Sequence, residues 1–176
     1  MPCPLSGPAC ALLKRSLTIP LAAKLLLVAS LGSLIFALIM QLGFGVQPCI
    51  LCLWQRTPYA VVALISFLVV VLRPSRRQTA LMLFVCAFCF VVGLSLAIFH
   101  TGVELHWWLG TSGCSVQPLS GGSPEDLRLS LLQTVAPRCD QIAWTLFGLS
   151  MANYNIAFSL VLAFFATAAA AKATQD

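Results

Sequence analysis

The sequence predicts an all-α integral membrane protein, a four-helix bundle with a short amphipathic helix in one long outer loop. Three observations carry this. The 176 residues are 60% hydrophobic and only 9% charged, whereas soluble domains devote roughly a quarter of their residues to charge. Four apolar runs each approach the ~20 residues that cross a bilayer as a helix. The basic residues gather at flanks that fall on one side of such a bundle.

The first run is LLLVASLGSLIFALIMQLGF, Leu25 to Phe44. The second is PYAVVALISFLVVVL, Pro58 to Leu72, extended upstream by CILCLW. The third is TALMLFVCAFCFVVGLSLAIF, Thr79 to Phe99, and the fourth runs from about Leu146 to Ala171. Lipid cannot satisfy open backbone groups, so each run is expected to be helical. The expected spans are 25–44, 53–72, 79–99 and 146–171, with outer loops at about 45–52 and 100–145. The whole chain, 1–176, reads as one membrane domain.

Orientation follows from charge. Lys14, Arg15 and Lys24 precede the first helix, Arg73, Arg76 and Arg77 separate the second and third, and Lys172 closes the fourth. The positive-inside rule makes that side, with both termini, cytoplasmic. Trp54, Trp107, Trp108 and Trp144 fall near the opposite boundary, as an aromatic belt does. The net charge of +5 is small and lies mostly in short flanks, which suits membrane orientation and not nucleic-acid binding. The first apolar run is too long for the core of a secretory signal peptide.

The long outer loop is too short and too rich in glycine to hold a core of its own. Within it, SPEDLRLSLLQTVAP reads as the short amphipathic helix. Ser123 suits the N-cap, Pro124 the first turn, and Glu125 and Asp126 the positive dipole end. Leu127, Leu131 and Val135 share a face, and Pro137 ends it. It would lie on the membrane surface or pack on the bundle ends.

Topology sorts the eight cysteines by redox compartment. Cys49, Cys52, Cys114 and Cys139 lie at or beyond the outer face, where disulfides persist. Cys3 and Cys10 fall in the cytoplasmic tail and read as reduced thiols. Cys86 and Cys89 share the C-x-x-C spacing of Cys49 and Cys52 but sit mid-membrane without charge, histidine or proline beside them. Apolar burial makes thiols inert, so packing is their expected role.

PCILC differs because it begins a helix, whose positive end favours a thiolate. Arg56 lies four residues beyond Cys52, on the same helix face. Its guanidinium can lower the Cys52 pKa and can hydrogen-bond an anionic or carbonyl oxygen. An arginine at the hydrocarbon edge is costly, which points to function, although a snorkelling arginine beside a structural disulfide has the same spelling. Cys49 is expected about one turn nearer water than Cys52. The pair could thus link an aqueous thiol system to an oxidant dissolved in the bilayer. Cys114 and Cys139, in SGCSVQ and PRCDQ, have small, polar and charged neighbours and are expected to be accessible. A bridge between them would contribute roughly 3–4 kcal/mol on the chain-entropy model. It could be a structural staple, but two pairs on one side suggest exchange between pairs. Three pairings of the four cysteines are possible.

His100, Glu104 and His106, in FHTGVELHWW, offer too few ligands for a metal site, so no metal is expected. His100 could still line a site with Arg56. Asn153 and Asn155 suit hydrogen bonds between helices.

These residues resemble the disulfide bond formation protein B family, DsbB, of bacterial inner-membrane thiol oxidases. The resemblance rests on Pro48-Cys49-Ile50-Leu51-Cys52 with Arg56, on FHTGVE after the third run, on Cys114 and Cys139, and on CDQIAWTLFGLSMANYN before the fourth. It covers nearly everything beyond the first fifteen or so residues. It implies that a Cys114–Cys139 disulfide reoxidises a periplasmic DsbA-type dithiol oxidase, with Cys114 forming the mixed disulfide. Cys139 would pass electrons to Cys49. Cys52, as thiolate, would contact a quinone (ubiquinone or menaquinone), with Arg56 near a quinone oxygen and His100 close by. Such a protein serves electron transport and periplasmic protein folding.

Two other readings stand beside it. Vitamin K epoxide reductase-like enzymes combine a four-helix bundle, a C-x-x-C and a quinone, but their loop cysteines precede the C-x-x-C. A non-catalytic scaffold of the tetraspanin or claudin kind gives no reason for CILCLWQR at a helix mouth.

Overall fold

The computed structural model describes residues 8–111, 114 and 137–175, with side chains from residue 20 onward. Cys3 and the amphipathic helix expected at Ser123–Val135 lie outside the described residues, and Cys10 lies outside the described side chains. Among the described residues, four helices are long and apolar enough to cross a membrane: Pro20–Leu42, Ile50–Leu72, Arg76–Glu104 and Met151–Gln175. The chain is an all-α membrane bundle with a two-residue β-ladder at one end.

Helix α1 runs from Pro8 to Leu42, well upstream of the apolar run that announces it. Its basic flank consists largely of good helix formers, so the helix continues past the hydrophobic boundary. Helix α2, Ile50–Leu72, starts three residues earlier than the expected span. Cys49 is its N-cap, and its sulfur accepts from the Cys52 backbone N–H at 3.4 Å. At the far end Arg73 adopts a left-handed conformation (φ 48) and its N–H closes on the Val69 carbonyl at 3.2 Å. Ser75 then caps helix α3, Arg76–Glu104, with Gln78 Oε1 accepting from its N–H at 3.0 Å. So short a turn makes α2 and α3 antiparallel neighbours.

Helix α3 continues past the expected end at Phe99 and so carries His100 and Glu104 on one face. Gly102 lies within it, and the Trp108 indole packs directly over that residue, where a Cβ would collide with the ring. Trp108 is fixed there by stacking on Phe99 at 5.9 Å and by donating from Nε1 to the Phe99 carbonyl at 2.9 Å.

The largest departure from the sequence reading precedes helix α4, Met151–Gln175. Residues expected in the first turn of that helix form a hairpin, strand β1, Thr145–Leu146, pairing antiparallel with β2, Leu149–Ser150. Phe147 (φ 50) and Gly148 (φ 80) both take positive φ, as a two-residue hairpin turn of this hand requires. Ser150 then caps α4, its Oγ accepting from the Asn153 N–H at 3.4 Å.

Small residues let the helices approach closely. Gly93, Ala97, Ala163, Ala166, Ala170 and Ser159 are buried between them, while Phe67, Phe88 and Phe164 face outward toward lipid. Tyr59, Val62, Leu83, Phe90 and Leu162 form the central core. Cys86 is fully buried in that core and Cys89 packs against it. Trp54, Trp107 and Trp108 are exposed at the bundle end that carries Cys49.

Candidate functional site

The site is built at the N-terminal mouth of α2. Capping by Cys49 turns its sulfur back over the first helical turn, so that Cys49 Sγ and Cys52 Sγ lie 3.2 Å apart as free thiols. Helix α3 runs alongside and brings His100 Nε2 to 3.5 Å from Cys49 Sγ. Glu104, one turn further along, has Oε1 at 3.8 Å from the same nitrogen, and its Oε2 accepts from Ser150 Oγ of the hairpin. The Cys52 thiol, hydrogen-bonded to Cys49, together with His100, holds the Cys49 thiol down to about 4 from 9.0, against the opposing effect of burial.

Cys114 and Cys139 are joined by a disulfide, with Cα atoms 4.8 Å apart. The Cys139 N–H bonds the Cys114 carbonyl at 3.2 Å. Both residues are buried, not accessible as their polar neighbours in sequence suggest. The reason is tertiary: they pack with Cys49, Leu51 and Val103 in one apolar cluster that Cys52 also touches. The same packing corrects the expected order of access at the inner pair. Cys49 is 4% exposed, whereas Cys52 remains half-buried, and both line a cavity.

That cavity has a volume of about 1090 Å³. Apolar residues of α1 and α4, Phe36, Met40 and Phe158 among them, line it together with Cys52, Arg56 and His100. Arg56 is half-buried, and its Nη1 donates to Gln41 Oε1 of α1 at 2.8 Å. Its recorded hydrogen bond thus goes across to α1, one turn from Cys52, while His100 takes the place at the thiol pair. His106, by contrast, is an exposed residue of the turn after α3. Cys49 Sγ, Cys52 Sγ and His100 Nε2 lie within 4.8 Å of one another, a set that could hold a metal ion and that the sequence spacing of the histidines did not suggest.

Asn155 and Asn153 bridge helices as their type suggests. Asn155 Nδ2 donates to Gln55 Oε1 of α2 at 2.5 Å, and Thr101 of α3 donates to Asn153 Oδ1 at 3.2 Å. Gln55 and Tyr59 are site residues that sequence reasoning passed over. The available signal was a glutamine one residue before Arg56 in an otherwise apolar helix, since a buried amide needs partners.

The family model described as Disulfide bond formation protein DsbB matches residues 20–169. The chain belongs to the DsbB family. Among its relatives, the Disulfide bond formation protein B of Xylella fastidiosa is 31% identical over 139 residues, covering 75% of this chain and 78% of that protein. That of Xanthomonas euvesicatoria is 30% identical over 155 residues, covering 84% and 88%. That of Aromatoleum aromaticum is 27% identical over 136 residues, covering 77% and 82%. No solved structure matches the chain. Membership of the DsbB family, with four membrane-spanning helices, makes this a multi-pass membrane oxidoreductase of disulfide bond formation.

Proposed function

We propose that the protein is a dithiol:quinone oxidoreductase of the bacterial inner membrane. It reoxidises a periplasmic DsbA-type oxidase and delivers the electron pair to membrane quinone, ubiquinone or menaquinone. The whole chain works as one unit, with both termini cytoplasmic and the four redox cysteines on the periplasmic side. One observation carries the reading: the Cys114–Cys139 disulfide and the Cys49/Cys52 thiols share a single packed cluster at the mouth of a large apolar cavity.

The chemistry is two exchanges and one transfer. A thiolate of the partner attacks Cys114, Cys139 leaves, and the partner's second thiolate displaces Cys114, so the partner becomes oxidised and the loop pair reduced. With the inner pair oxidised, Cys139 as thiolate attacks Cys49 Sγ and expels Cys52 as thiolate. Cys114 then resolves the Cys139–Cys49 bond and leaves the inner pair reduced. Two electrons and two protons pass from Cys49 and Cys52 to quinone, and the inner disulfide is restored. The half-buried position of Cys52 on the cavity wall suits it as the sulfur that faces quinone. The low pKa of Cys49 in the reduced pair suits it as the thiolate that closes the inner disulfide.

The residues present fit a quinone. The cavity is mostly apolar, as a prenylated ring needs, with a few convergent polar groups at one end. Arg56 would hold a quinone oxygen through its guanidinium, and His100 would bound the ring edge nearest the thiols. Quinone supplies the two-electron oxidant; the chain supplies orientation and the thiolates.

The test is quinone reduction by the purified protein with a reduced DsbA-type dithiol, wild type against Cys→Ser at 49, 52, 114 and 139. Each variant is expected to fall to background, and Arg56→Ala is expected to raise KM for quinone about tenfold, the worth of one charge-assisted hydrogen bond. Turnover that persists in Cys49→Ser or Cys52→Ser would remove the inner pair from the path.

A further inference from the structure

Beyond the thiol pair, the cavity wall holds three polar side chains that the electron path does not use, Tyr59, Asn155 and Gln55, in a line that leads to His100 and Cys49. Tyr59 Oη donates to Asn155 Oδ1 at 2.5 Å. Asn155 Nδ2 donates to Gln55 Oε1 at 2.5 Å. Gln55 Nε2 lies 2.7 Å from His100 Nδ1. His100 Nε2 lies 3.5 Å from Cys49 Sγ. The line crosses three helices, from the interior of the bundle to the sulfur at its mouth.

We propose that Tyr59, Asn155 and Gln55 form a directional hydrogen-bond chain that fixes neutral His100 with its proton on Nε2, so that His100 donates to Cys49 Sγ. They are positioning residues that act through His100. The proposal rests on the role given above to Cys49, but the tautomer it names can be read without turnover.

The direction follows from which atoms can donate. An amide nitrogen only donates and an amide oxygen only accepts. Tyr59 donating to Asn155 Oδ1 turns Asn155 Nδ2 toward Gln55 Oε1. That in turn leaves Gln55 Nε2 facing His100 Nδ1, which must therefore accept. A neutral imidazole with an accepting Nδ1 carries its proton on Nε2. The groups facing Nε2 agree: Cys49 Sγ at 3.5 Å and the Glu104 carboxylate at 3.8 Å are both acceptors. Among the described residues, Cys52 of α2 completes the titratable groups around Cys49, and the Cys114–Cys139 bridge packed beside it carries no titrating thiol. A proton on Nδ1 would set N–H against N–H between His100 and Gln55, both buried. Relief would require both amides to turn over and Tyr59 to redirect its hydroxyl to Ser159 Oγ, 2.9 Å away. Linked bonds in a dry interior resist such reversal as a unit.

Two consequences follow. His100 is a donor to the Cys49 sulfur and not the base that removes its proton. The ring is also set against metal binding, although Cys49, Cys52 and His100 have suitable spacing. A histidine that ligates through Nε2 donates its other N–H to an acceptor, and here Nδ1 faces a donor.

The experiment uses the full chain, reduced and solubilised in detergent, with 15N-labelled histidine. The chain has only two histidines, and a His106→Asn variant assigns the pair. Long-range 1H–15N correlation of the ring is expected to show a protonated Nε2 and a bare Nδ1 in the wild type. Gln55→Met, which keeps length but removes the donor, should let Nδ1–H appear. Tyr59→Phe should do so more weakly and guards against misfolding of the first variant. In Gln55→Met the pH midpoint of Cys49 alkylation should move upward. The rate on its acid limb should fall about fivefold, the worth of one ordinary hydrogen bond. An Nδ1–H or doubly protonated His100 in neutral wild-type protein overturns the proposal, as does a Gln55→Met protein with tautomer and midpoint unchanged. An intact Nε2–H pattern in a wild-type preparation that fails to reduce quinone upholds the chain and overturns the proposed function instead.

Discussion

Cys49 shows how one residue can be a helix cap, a thiol with a lowered pKa and a core position together. As N-cap of α2 it draws on the Cys52 N–H, and as neighbour of α3 it draws on His100. Its sulfur also packs against the loop disulfide. The sign of the pH effect is set by the lowered pKa. Thiolate at Cys49 persists above about 4, whereas an unperturbed cysteine loses it below 9.0. Its contribution to the stability of the reduced folded state is therefore complete above 9.0 and is lost as pH falls toward 4. Iodoacetamide labelling of Cys49, read by mass spectrometry on the reduced protein, should be nearly flat between pH 8 and pH 6 and fall through about pH 4. Labelling that already fades below pH 8 would contradict this. The C-x-x-C spelling was plain in the sequence. Which of its two thiols is buried was not, because that depends on Val103, Cys114 and Cys139 packing with Cys49 from far along the chain.

At the scale of elements, close approach of α2, α3 and α4 holds the polar chain together. Gly93 lies where the three meet: a Cβ there would sit 3.5 Å from Pro58 Cβ and Cγ and 3.6 Å from Ser159 Oγ. Those are ordinary contacts, so Gly93→Ala should fold and function. Gly93→Ile adds atoms for which there is no room and should cost about 1–3 kcal/mol. The same change should loosen the Tyr59–Asn155 bond across the α2–α4 contact. Unfolding in graded denaturant in detergent micelles checks the order Gly, Ala, then Ile. The apolar runs revealed that these helices exist, but not their ends. The extension of α3 through His100 to Glu104 carries it under the Trp108 indole, which packs where Gly102 has no side chain. The hairpin before α4 depends on two successive positive-φ residues, one of them a phenylalanine that local preference would not place there.

The whole molecule is a membrane bundle whose candidate site lies at one end. The turn between α2 and α3, with Arg73, Arg76 and Arg77, lies at the other. The proposed orientation predicts that a membrane-impermeant maleimide applied to intact spheroplasts labels Leu109→Cys, an exposed position beyond α3. The same reagent should spare Ser75→Cys until the cells are opened, with the parent protein as background in both cases. The reverse pattern would invert the bundle and place the redox cysteines in the reducing compartment, where a generator of disulfides could not work.

Sequence alone determined the solvent, the number of crossings, the pairing of cysteines with one end of the bundle and the family. These follow from composition, run length and short motifs, which are local properties of the chain. Only the tertiary structure decided that the two cysteine pairs share one cluster, that Cys49 lies deeper under cover than Cys52, and that Arg56 bonds to α1. It also decided that Gln55, Asn155 and Tyr59 meet across three helices at His100. Helix rotation and loop packing set those facts, and neither is written in the spacing of residues along one segment.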